Sequence, residues 1–336
     1  MDVYIDPKFS NDVSTRLIYL YVGMSPYAQL VADRVNIYCV TNDVMDYVCP
    51  PEARRYIDPE CLEGMKEKIK ELIDNLPEEI LKTKSIDEAL DKIWGIISEC
   101  RTWWGIEVSR ACYRNLSASE AQELEKSGVP AKTGPSIFLA IDRIKASATN
   151  ISKKINTQSK KTFSGVLALS LIHETFHAYT DANGKKYSNE IWHVIIEESL
   201  ATYMEYLYVK RSFIPIFIAD TEDQPFEYRA WEYWRIHAPS RILCNIISHC
   251  WARDSMIPAY IPVLPIWYLA DVMPVRLRYR VYYWDLFHAF FADLDPKWHR
   301  LFHEVIWPML RTSPQKLVTF LWKIIALCII KYMLRI

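Results

Sequence analysis

Glycine is scarce in this chain, at 8 of 336 residues, and none of the glycine-rich nucleotide motifs occurs. The shortage argues against phosphate-binding loops, because such loops need the backbone freedom of glycine. An excess of charge of one sign is also lacking, since 40 basic and 41 acidic residues give a formal charge of -1. We therefore expect neither nucleic acid nor an anionic membrane as the main partner. The composition, 51% hydrophobic and 24% charged, indicates a globular protein with room for a core.

The eight cysteines form no Cys-x-x-Cys pair and no close framework spacing. We expect them to be free thiols without a catalytic role. The first residues, Met1 to Asp6, lack the basic start and the apolar run of a signal peptide. The expected location is therefore cytoplasmic.

A long uncharged apolar run is also lacking at the C-terminus. The segment 317–331 is apolar, but Lys323 and Lys331 interrupt it, so it falls short of the roughly twenty residues that span a membrane. Its lysines fall within one helical arc, which predicts an amphipathic helix packed on the protein body. Peripheral membrane contact through this helix is the alternative.

The most informative motif present is His-Glu-Thr-Phe-His at residues 173–177. Residues four apart lie on the same face of a helix, so the imidazoles of His173 and His177 can bind one metal ion. Glu174 lies beside them, where a carboxylate can take a proton from water and return it to a leaving group. The apolar flanks from Val166 to Tyr179 predict that this helix is largely buried.

A catalytic zinc site normally has a third protein ligand. The next predicted helix, about Asn189 to Val209, offers two adjacent glutamates. Glu198 shares its face with small residues that allow two helices to approach closely, whereas Glu197 shares a face with His193 and could pair with it. We favour Glu198 as the ligand and keep Glu197 as the alternative.

The block from Pro135 to Val209 resembles the zincin metallopeptidases, specifically the glutamate-zincins of which thermolysin is the familiar member. The resemblance rests on the 173–177 motif and on Glu-Ser-Leu-Ala at 198–201, which is similar to the second metal-binding helix of that family. It implies Zn²⁺ as the cofactor and Glu174 as the general base. The implied ligands are His173, His177 and Glu198.

The resemblance also implies an α+β fold with a zincin-like core. That core has a small mixed sheet and the helix of the 173–177 motif, and a mainly helical C-terminal half follows. Segment 136–144 is rich in branched and aromatic residues and is expected to be the edge strand, which pairs with an extended peptide. We place the mixed N-terminal part at residues 1–160 and the zinc-site helices with the helical part at 161–336, as two domains or one continuous domain.

The implied activity is hydrolysis of peptide bonds in a peptide or protein substrate. The resemblance further implies a group that stabilises the oxyanion, for which His237 and Tyr228 are the candidates, with Tyr233 and Arg241 in the same region. The alternative is a catalytically silent zincin-like protein with a structural or binding role. A fortuitous motif is a third interpretation.

Local patterns predict the remaining elements. The capping boxes that begin at Ser85 and Ser117 predict helices that run to about Cys100 and about Lys126. The other predictions are strands at Arg16–Val22 and Asn36–Val40, a solvated linker at Lys145–Lys161, and helices at Tyr228–His237, Ser240–Trp251, Tyr282–Ala292 and Pro296–Arg311.

Overall fold

The structure is a computed structural model that describes residues 1–31, 34–50, 56–83, 85–102, 109–254 and 300–336. The strands in these ranges are β1 (Val3–Ile5), β2 (Asn36–Val40), β3 (Tyr56–Ile57), β4 (Arg101–Thr102), β5 (Ala111–Leu116) and β6 (Gly134–Ala140). The helices are α1 (Thr15–Val22), α2 (Ala28–Val31), α3 (Asn42–Val48), α4 (Pro59–Gly64), α5 (Lys66–Thr83), α6 (Ile86–Glu99), α7 (Ala118–Lys126), α8 (Ile141–Lys154), α9 (Ser159–Ala182), α10 (Ile191–Tyr208), α11 (Ile214–Thr221), α12 (Phe226–Arg229), α13 (Trp231–His237), α14 (Arg241–Ala252), α15 (Trp307–Thr312) and α16 (Pro314–Leu334).

The chain divides into two compact units, each built from three separate stretches of sequence. The first unit comprises 1–58, 101–187 and 197–231, and the second comprises 59–100, 188–196 and 232–336. The boundary expected at residue 160 falls inside the first unit, between α8 and α9, which pack against each other. The 173–177 motif lies in α9 and therefore belongs to the first unit.

A four-stranded sheet in the order β1-β2-β6-β5 forms the centre of the first unit. Strands β1, β2 and β6 are parallel, with Ile37 opposite Ile137, whereas β5 is antiparallel to β6, with Cys112 opposite Phe138. The small mixed sheet and the α+β class predicted from the sequence are both confirmed. Helix α9 packs on β5 and β6, so the sheet positions the helix that carries the motif.

The prediction of an edge strand at 136–144 is wrong in two respects: the strand ends earlier, and it does not lie at the edge of the sheet. Strand β6 stops at Ala140, and α8 begins at Ile141. Within α8, Ile144, Ala148 and Ile151 are buried at helical spacing, so the branched residues that indicated a longer strand continue into a helix face. Strand β6 also has a neighbour on both sides, and β5 occupies the edge.

Two further predictions in this unit are wrong. The segment expected to be a strand at Arg16–Val22 is helix α1, because Ser14 caps it by accepting a hydrogen bond from the Leu17 backbone nitrogen at 3.3 Å. The expected linker at Lys145–Lys161 consists mostly of the second part of α8 and the start of α9. The polar residues that suggested a linker form the exposed side of α8, which is amphipathic.

Three further predictions from local patterns are confirmed. Asn36–Val40 is β2. Ser85 caps α6, which ends at Glu99, and Ser117 forms both bonds of a capping box with Glu120 at the start of α7.

The described part of the second unit is helical, as expected for the C-terminal half. The predicted helix at Ser240–Trp251 corresponds to α14, and the one at Tyr228–His237 corresponds to α12 and α13, which continues from the first unit. The predicted helix at Tyr282–Ala292 lies outside the described residues, as does the start of the one at Pro296–Arg311.

Helix α16 contains the apolar C-terminal segment. Among the described helices it is the one long and apolar enough to cross a membrane, over Gln315–Leu334, with a mean hydropathy of 2.0. In its most apolar window, 61% is buried inside the protein, and a buried core helix passes the same test. Lys323 is buried and lies 3.0 Å from Asp87, and α16 packs on α5. These contacts agree with the predicted packing on the protein body.

The expectation of free thiols is wrong for four of the eight cysteines. Disulfides join Cys49 to Cys112 and Cys61 to Cys100. The partners are 63 and 39 residues apart in the chain, so local spacing carries no sign of the pairing. The first bond ties edge strand β5 to the end of α3, and the second lies close to both ends of stretch 59–100. The free cysteines are Cys39, Cys244, Cys250 and Cys328.

Candidate metal centre

Three side chains from α9 and α10 meet in the first unit. Nε2 of His173 lies 3.0 Å from Oε2 of Glu198, and Nε2 of His177 lies 3.6 Å from the same oxygen. One potential ligand atom from each residue falls within 4.8 Å of the others, and all three residues are buried. Among the described residues this is the group of three that could hold a metal ion. Two imidazoles and a carboxylate with room for a further ligand are a typical donor set for zinc.

Helix α9 holds the two histidines in a fixed orientation because it is enclosed on every face. Every residue from Gly165 to Thr180 is buried. The helix packs on β5 and β6 and on the neighbouring helices α1, α2, α8 and α11. On one side Tyr27 stacks on Tyr179 with ring centroids 4.3 Å apart, and its ring also meets Phe176. A helix that is buried on every face belongs to the core, so the position of the imidazoles is set by packing.

Two further carboxylates hold the other ring nitrogens of the histidines. Nδ1 of His173 lies 2.8 Å from Oε1 of Glu205, and Nδ1 of His177 lies 3.0 Å from Oε1 of Glu197. The Thr180 hydroxyl donates to the same Glu197 oxygen at 2.7 Å. Such outer acceptors fix the tautomer that leaves Nε2 available to a metal. Glu197 therefore orients an imidazole, and Glu198, the ligand favoured from the sequence, is the carboxylate that meets both Nε2 atoms.

Tyr187 contacts the other oxygen of Glu198. Its hydroxyl donates to Oε1 at 2.7 Å, and its ring meets the His177 ring edge-on at 5.8 Å. The residue lies between α9 and α10 and is half exposed. A phenol at the rim of the centre can thus orient the Glu198 carboxylate and can also reach a molecule that enters from solvent.

The imidazoles and carboxylates of the cluster shift one another's pKa values. Burial alone would raise the pKa of Glu198, but His177 and His173 together hold it well below its usual range. Burial would lower the pKa of His173, but hydrogen bonds with Glu198 and Glu205 raise it to about 9. Burial would likewise lower the pKa of His177, but Glu198 and Glu197 raise it. Carboxylates therefore stabilise positive charge at this point, which is the electrostatic environment that a divalent cation needs.

A cavity of about 210 Å³ adjoins His173 and Glu174. Glu174 is 7% exposed, and its carboxylate has no hydrogen-bond partner among the described residues. Arg110 lines the same cavity and forms a two-pronged ion pair with Asp220, with both nitrogen–oxygen distances 2.5 Å. Burial would lower the pKa of Arg110, but Asp220 raises it above its usual value. The cavity thus combines an available carboxylate with a fixed ion pair.

The two residues suggested as oxyanion stabilisers have different positions. Tyr228 lines the cavity, and its ring stacks on that of His173 at 5.5 Å and 16°. His237 belongs to the second unit, where its ring lies 4.2 Å from that of Tyr233 and 6.2 Å from that of Tyr332. Of the two, Tyr228 is the one that contacts the centre in the first unit.

The sequence interpretation did not identify four residues of this site. Glu205 follows Glu198 by seven positions on α10, so helical periodicity could have placed it on the same face. Tyr187 stands in a polar loop and carries no pattern. Arg110 and Asp220 are 110 residues apart, and only the folded chain brings them together.

No known protein family, curated protein or solved structure matches this chain. What the chain has is a buried cluster, His173, His177 and Glu198, that could bind a metal ion.

Proposed function

We propose that this protein is a zinc-dependent peptidase of the glutamate-zincin kind. One observation supports the proposal above all: two imidazoles four residues apart converge on a single oxygen of Glu198, beside a cavity into which Glu174 presents a carboxylate. The donor set fits zinc, since two imidazole nitrogens and one carboxylate are borderline ligands that leave a position open for water.

His173, His177 and Glu198 would hold the ion. When bound, zinc supplies Lewis acidity, which lowers the pKa of a water molecule toward neutrality and polarises a carbonyl group. Glu205 and Glu197 keep both imidazoles oriented through Nδ1. Glu174 takes a proton from the attacking water and transfers it to the departing amine nitrogen. The Tyr228 hydroxyl is proposed to donate a hydrogen bond to the oxygen that gains negative charge, and Tyr187 at the rim is a second candidate.

Strand β5 is proposed as the surface that holds the peptide. It takes the edge position first expected for 136–144, and it pairs with β6 on one side. Helix α9 packs against it, and the strand begins at Ala111, which lines the cavity. An extended peptide can add to such an edge through main-chain hydrogen bonds. The scissile bond would then lie close to Glu174.

The expected cytoplasmic location remains a prediction. The pairs Cys49–Cys112 and Cys61–Cys100 favour an oxidising compartment instead, because disulfides are rare in reducing ones.

The proposal is tested by metal content and by turnover. Purified protein should contain one zinc per chain and cleave a broad peptide library. Glu174→Gln should retain the metal and lose about 10²–10⁴-fold in kcat/KM, because the proton acceptor is removed. Glu125→Gln is the matched control, since Glu125 is exposed on α7 and should behave as wild type.

The outcomes separate the alternatives. Zinc without cleavage would support a silent, metal-binding protein. Absence of stoichiometric metal would show that the motif is fortuitous, and cleavage that survives in Glu174→Gln would remove Glu174 from the mechanism.

A further inference from the structure

The cavity that adjoins His173 and Glu174 has polar walls. Among the described residues that line it, serine and threonine provide hydroxyl groups at several positions, and Leu, Ile, Val, Phe, Met and Trp are absent. The hydroxyl residues are Ser109, Ser147, Ser170, Thr202 and Thr221. Arg110 donates to Ser147 and Ser170, and Thr202 and Thr221 donate to backbone carbonyls. A hydroxyl oxygen can accept a further hydrogen bond, which an apolar side chain cannot provide. The cavity is therefore poorly suited to an apolar side chain.

The cations of the cavity wall are already compensated. Arg110 holds both oxygens of Asp220 at 2.5 Å. Nη2 of Arg143 lies 2.7 and 2.8 Å from the two oxygens of Asp46. The Arg110 pair uses two guanidinium nitrogens, whereas Arg143 reaches both oxygens of Asp46 through one. An acidic side chain in the cavity would consequently find no free cation among the described residues.

Unused hydrogen-bond acceptors remain in the wall. Glu205 uses Oε1 for His173, and its Oε2 has no hydrogen-bond partner among the described residues. An ionised carboxylate can accept bonds at both oxygens, so half of this group is available to a ligand that donates. Glu174 adds a second carboxylate at the same cavity. The hydrogen-bond acceptors of the wall that no described residue uses are therefore carboxylate oxygens.

Two aromatic rings complete the wall. Tyr56 and Tyr228 both line the cavity, and their ring centroids are 6.0 Å apart. Such rings can pack on the methylene stem of a long side chain and attract its cationic end. Carboxylates and rings together are a receptor for a flexible cation.

We infer that this cavity selects a basic residue, lysine or arginine, next to the bond that is cleaved. The inference rests on the proposed peptidase function and names its substrate class. Hydrogen bonds to Oε2 of Glu205 would recognise the ammonium or guanidinium group, and the tyrosine rings would hold the stem. The hydroxyl groups would accept the remaining donors.

Cleavage-site mapping tests the preference. The zinc-loaded protein is incubated with a library of peptides, and the residues on both sides of each cut are identified by mass spectrometry. Lysine and arginine should be enriched on one side. For two peptides that differ only there, lysine should exceed norleucine in kcat/KM by about 10-fold or more, the discrimination that one lost buried contact gives. Enrichment of apolar or acidic residues on both sides would overturn the inference while leaving the peptidase function intact.

A binding measurement separates this inference from the activity. The zinc-loaded wild-type protein is titrated with N-acetyl-lysinamide and with N-acetyl-norleucinamide by calorimetry. Binding of N-acetyl-lysinamide but not of N-acetyl-norleucinamide supports the inference. If in addition no peptide is ever cleaved, the proposed peptidase function is refuted while the inference about the cavity stands. Equal binding, or binding of neither, refutes it.

Gln224 offers a charge test within the cavity. It lines the wall and is partly exposed. Gln224→Lys should lower the lysine-to-norleucine ratio of the binding constants by about 10-fold or more through like-charge repulsion. Gln224→Glu should raise the ratio, and Gln224→Met is the neutral control of similar length. A ratio that neither charged variant changes counts against a basic ligand in this cavity.

Discussion

Nδ1 of His173 and Oε1 of Glu205 are 2.8 Å apart, so the carboxylate fixes which nitrogen of the ring faces Glu198. Glu205 is itself buried, and Arg110 and Asp220 act electrostatically on it from the cavity wall. The orientation of this candidate metal ligand thus depends on Glu205 from α10. Glu205 is in turn influenced by Asp220 from α11 and by Arg110, which directly precedes β5.

Replacing Glu205 by Gln should weaken zinc binding. The amide keeps an oxygen for Nδ1 but loses the charge that makes the imidazole a stronger ligand. Loss of such an outer acceptor typically costs about 10–100-fold in metal affinity. Competition with a chromophoric chelator measures the dissociation constant, and Glu125→Gln, at an exposed position of α7, serves as the control. Unchanged affinity in Glu205→Gln would mean that the carboxylate has no part in metal binding.

Zinc affinity should rise with pH. The pKa of His173 is raised to about 9 in the metal-free protein, so at neutral pH this imidazole is protonated and must lose its proton when zinc binds. Each displaced proton lowers the affinity by about tenfold for every pH unit below that pKa. Calorimetry in buffers of different ionisation enthalpy counts the protons released. No release at neutral pH would contradict the charge state described for the cluster.

Glu227 should make the fold less stable as the pH rises. It is fully buried, its Oε2 accepts from the Ile57 backbone nitrogen at 3.2 Å, and Oε1 has no hydrogen-bond partner. Burial first, and Glu198 in addition, raise the pKa of Glu227 from 4.5 to about 8. The folded chain therefore binds more protons than the unfolded chain between these values, and the free energy of unfolding falls across that window.

Glu227→Gln should remove this fall, since the amide cannot ionise yet retains an acceptor for Ile57. The free energy of unfolding of the wild type, relative to that of the variant, is expected to fall by on the order of 3 kcal/mol between about pH 5 and about pH 8. Urea unfolding of the zinc-free proteins measures it, and the other titrating groups cancel in the comparison. If the free energy of unfolding depends on pH in the same way for both proteins, Glu227 ionises normally.

The Cys61–Cys100 disulfide should stabilise the second unit. The bond closes a long stretch of chain, since its partners are 39 residues apart, and the loop-entropy estimate for that length is about 4 kcal/mol as an upper value. The double variant Cys61→Ser/Cys100→Ser should unfold at lower denaturant, whereas Cys328→Ser, which removes a free thiol, should not. Peptide mapping without reductant should recover the linked pair. Eight titratable thiols in the purified protein would contradict both disulfides.

The parts of the fold that depend on neighbours in the chain were predictable. Ser117 and Glu120 cap α7 through bonds three residues apart, and His173 and His177 share a helix face by periodicity alone. Glu198 could be preferred over Glu197 for the same reason. These features need no knowledge of the tertiary structure.

Features that depend on distant contacts could not be predicted. Segment 136–144 had the composition of a strand, but the composition does not say that the strand would have two neighbours or where it would turn into α8. Arg16–Val22 has residues that suit a strand, and the cap by Ser14 together with burial of one face makes it a helix. The partnership of Arg110 with Asp220 likewise exists only in the folded chain.

The complete enclosure of α9 has a consequence for how the protein would lose a bound ion. The imidazoles cannot turn outward unless the surrounding core separates, because every residue from Gly165 to Thr180 is buried among neighbouring elements. Release of the ion by movement of the ligands is therefore tied to cooperative opening of the first unit rather than to local fluctuation. When the ion leaves by this route, the rate of its transfer to a chelator would report how fast the whole unit opens.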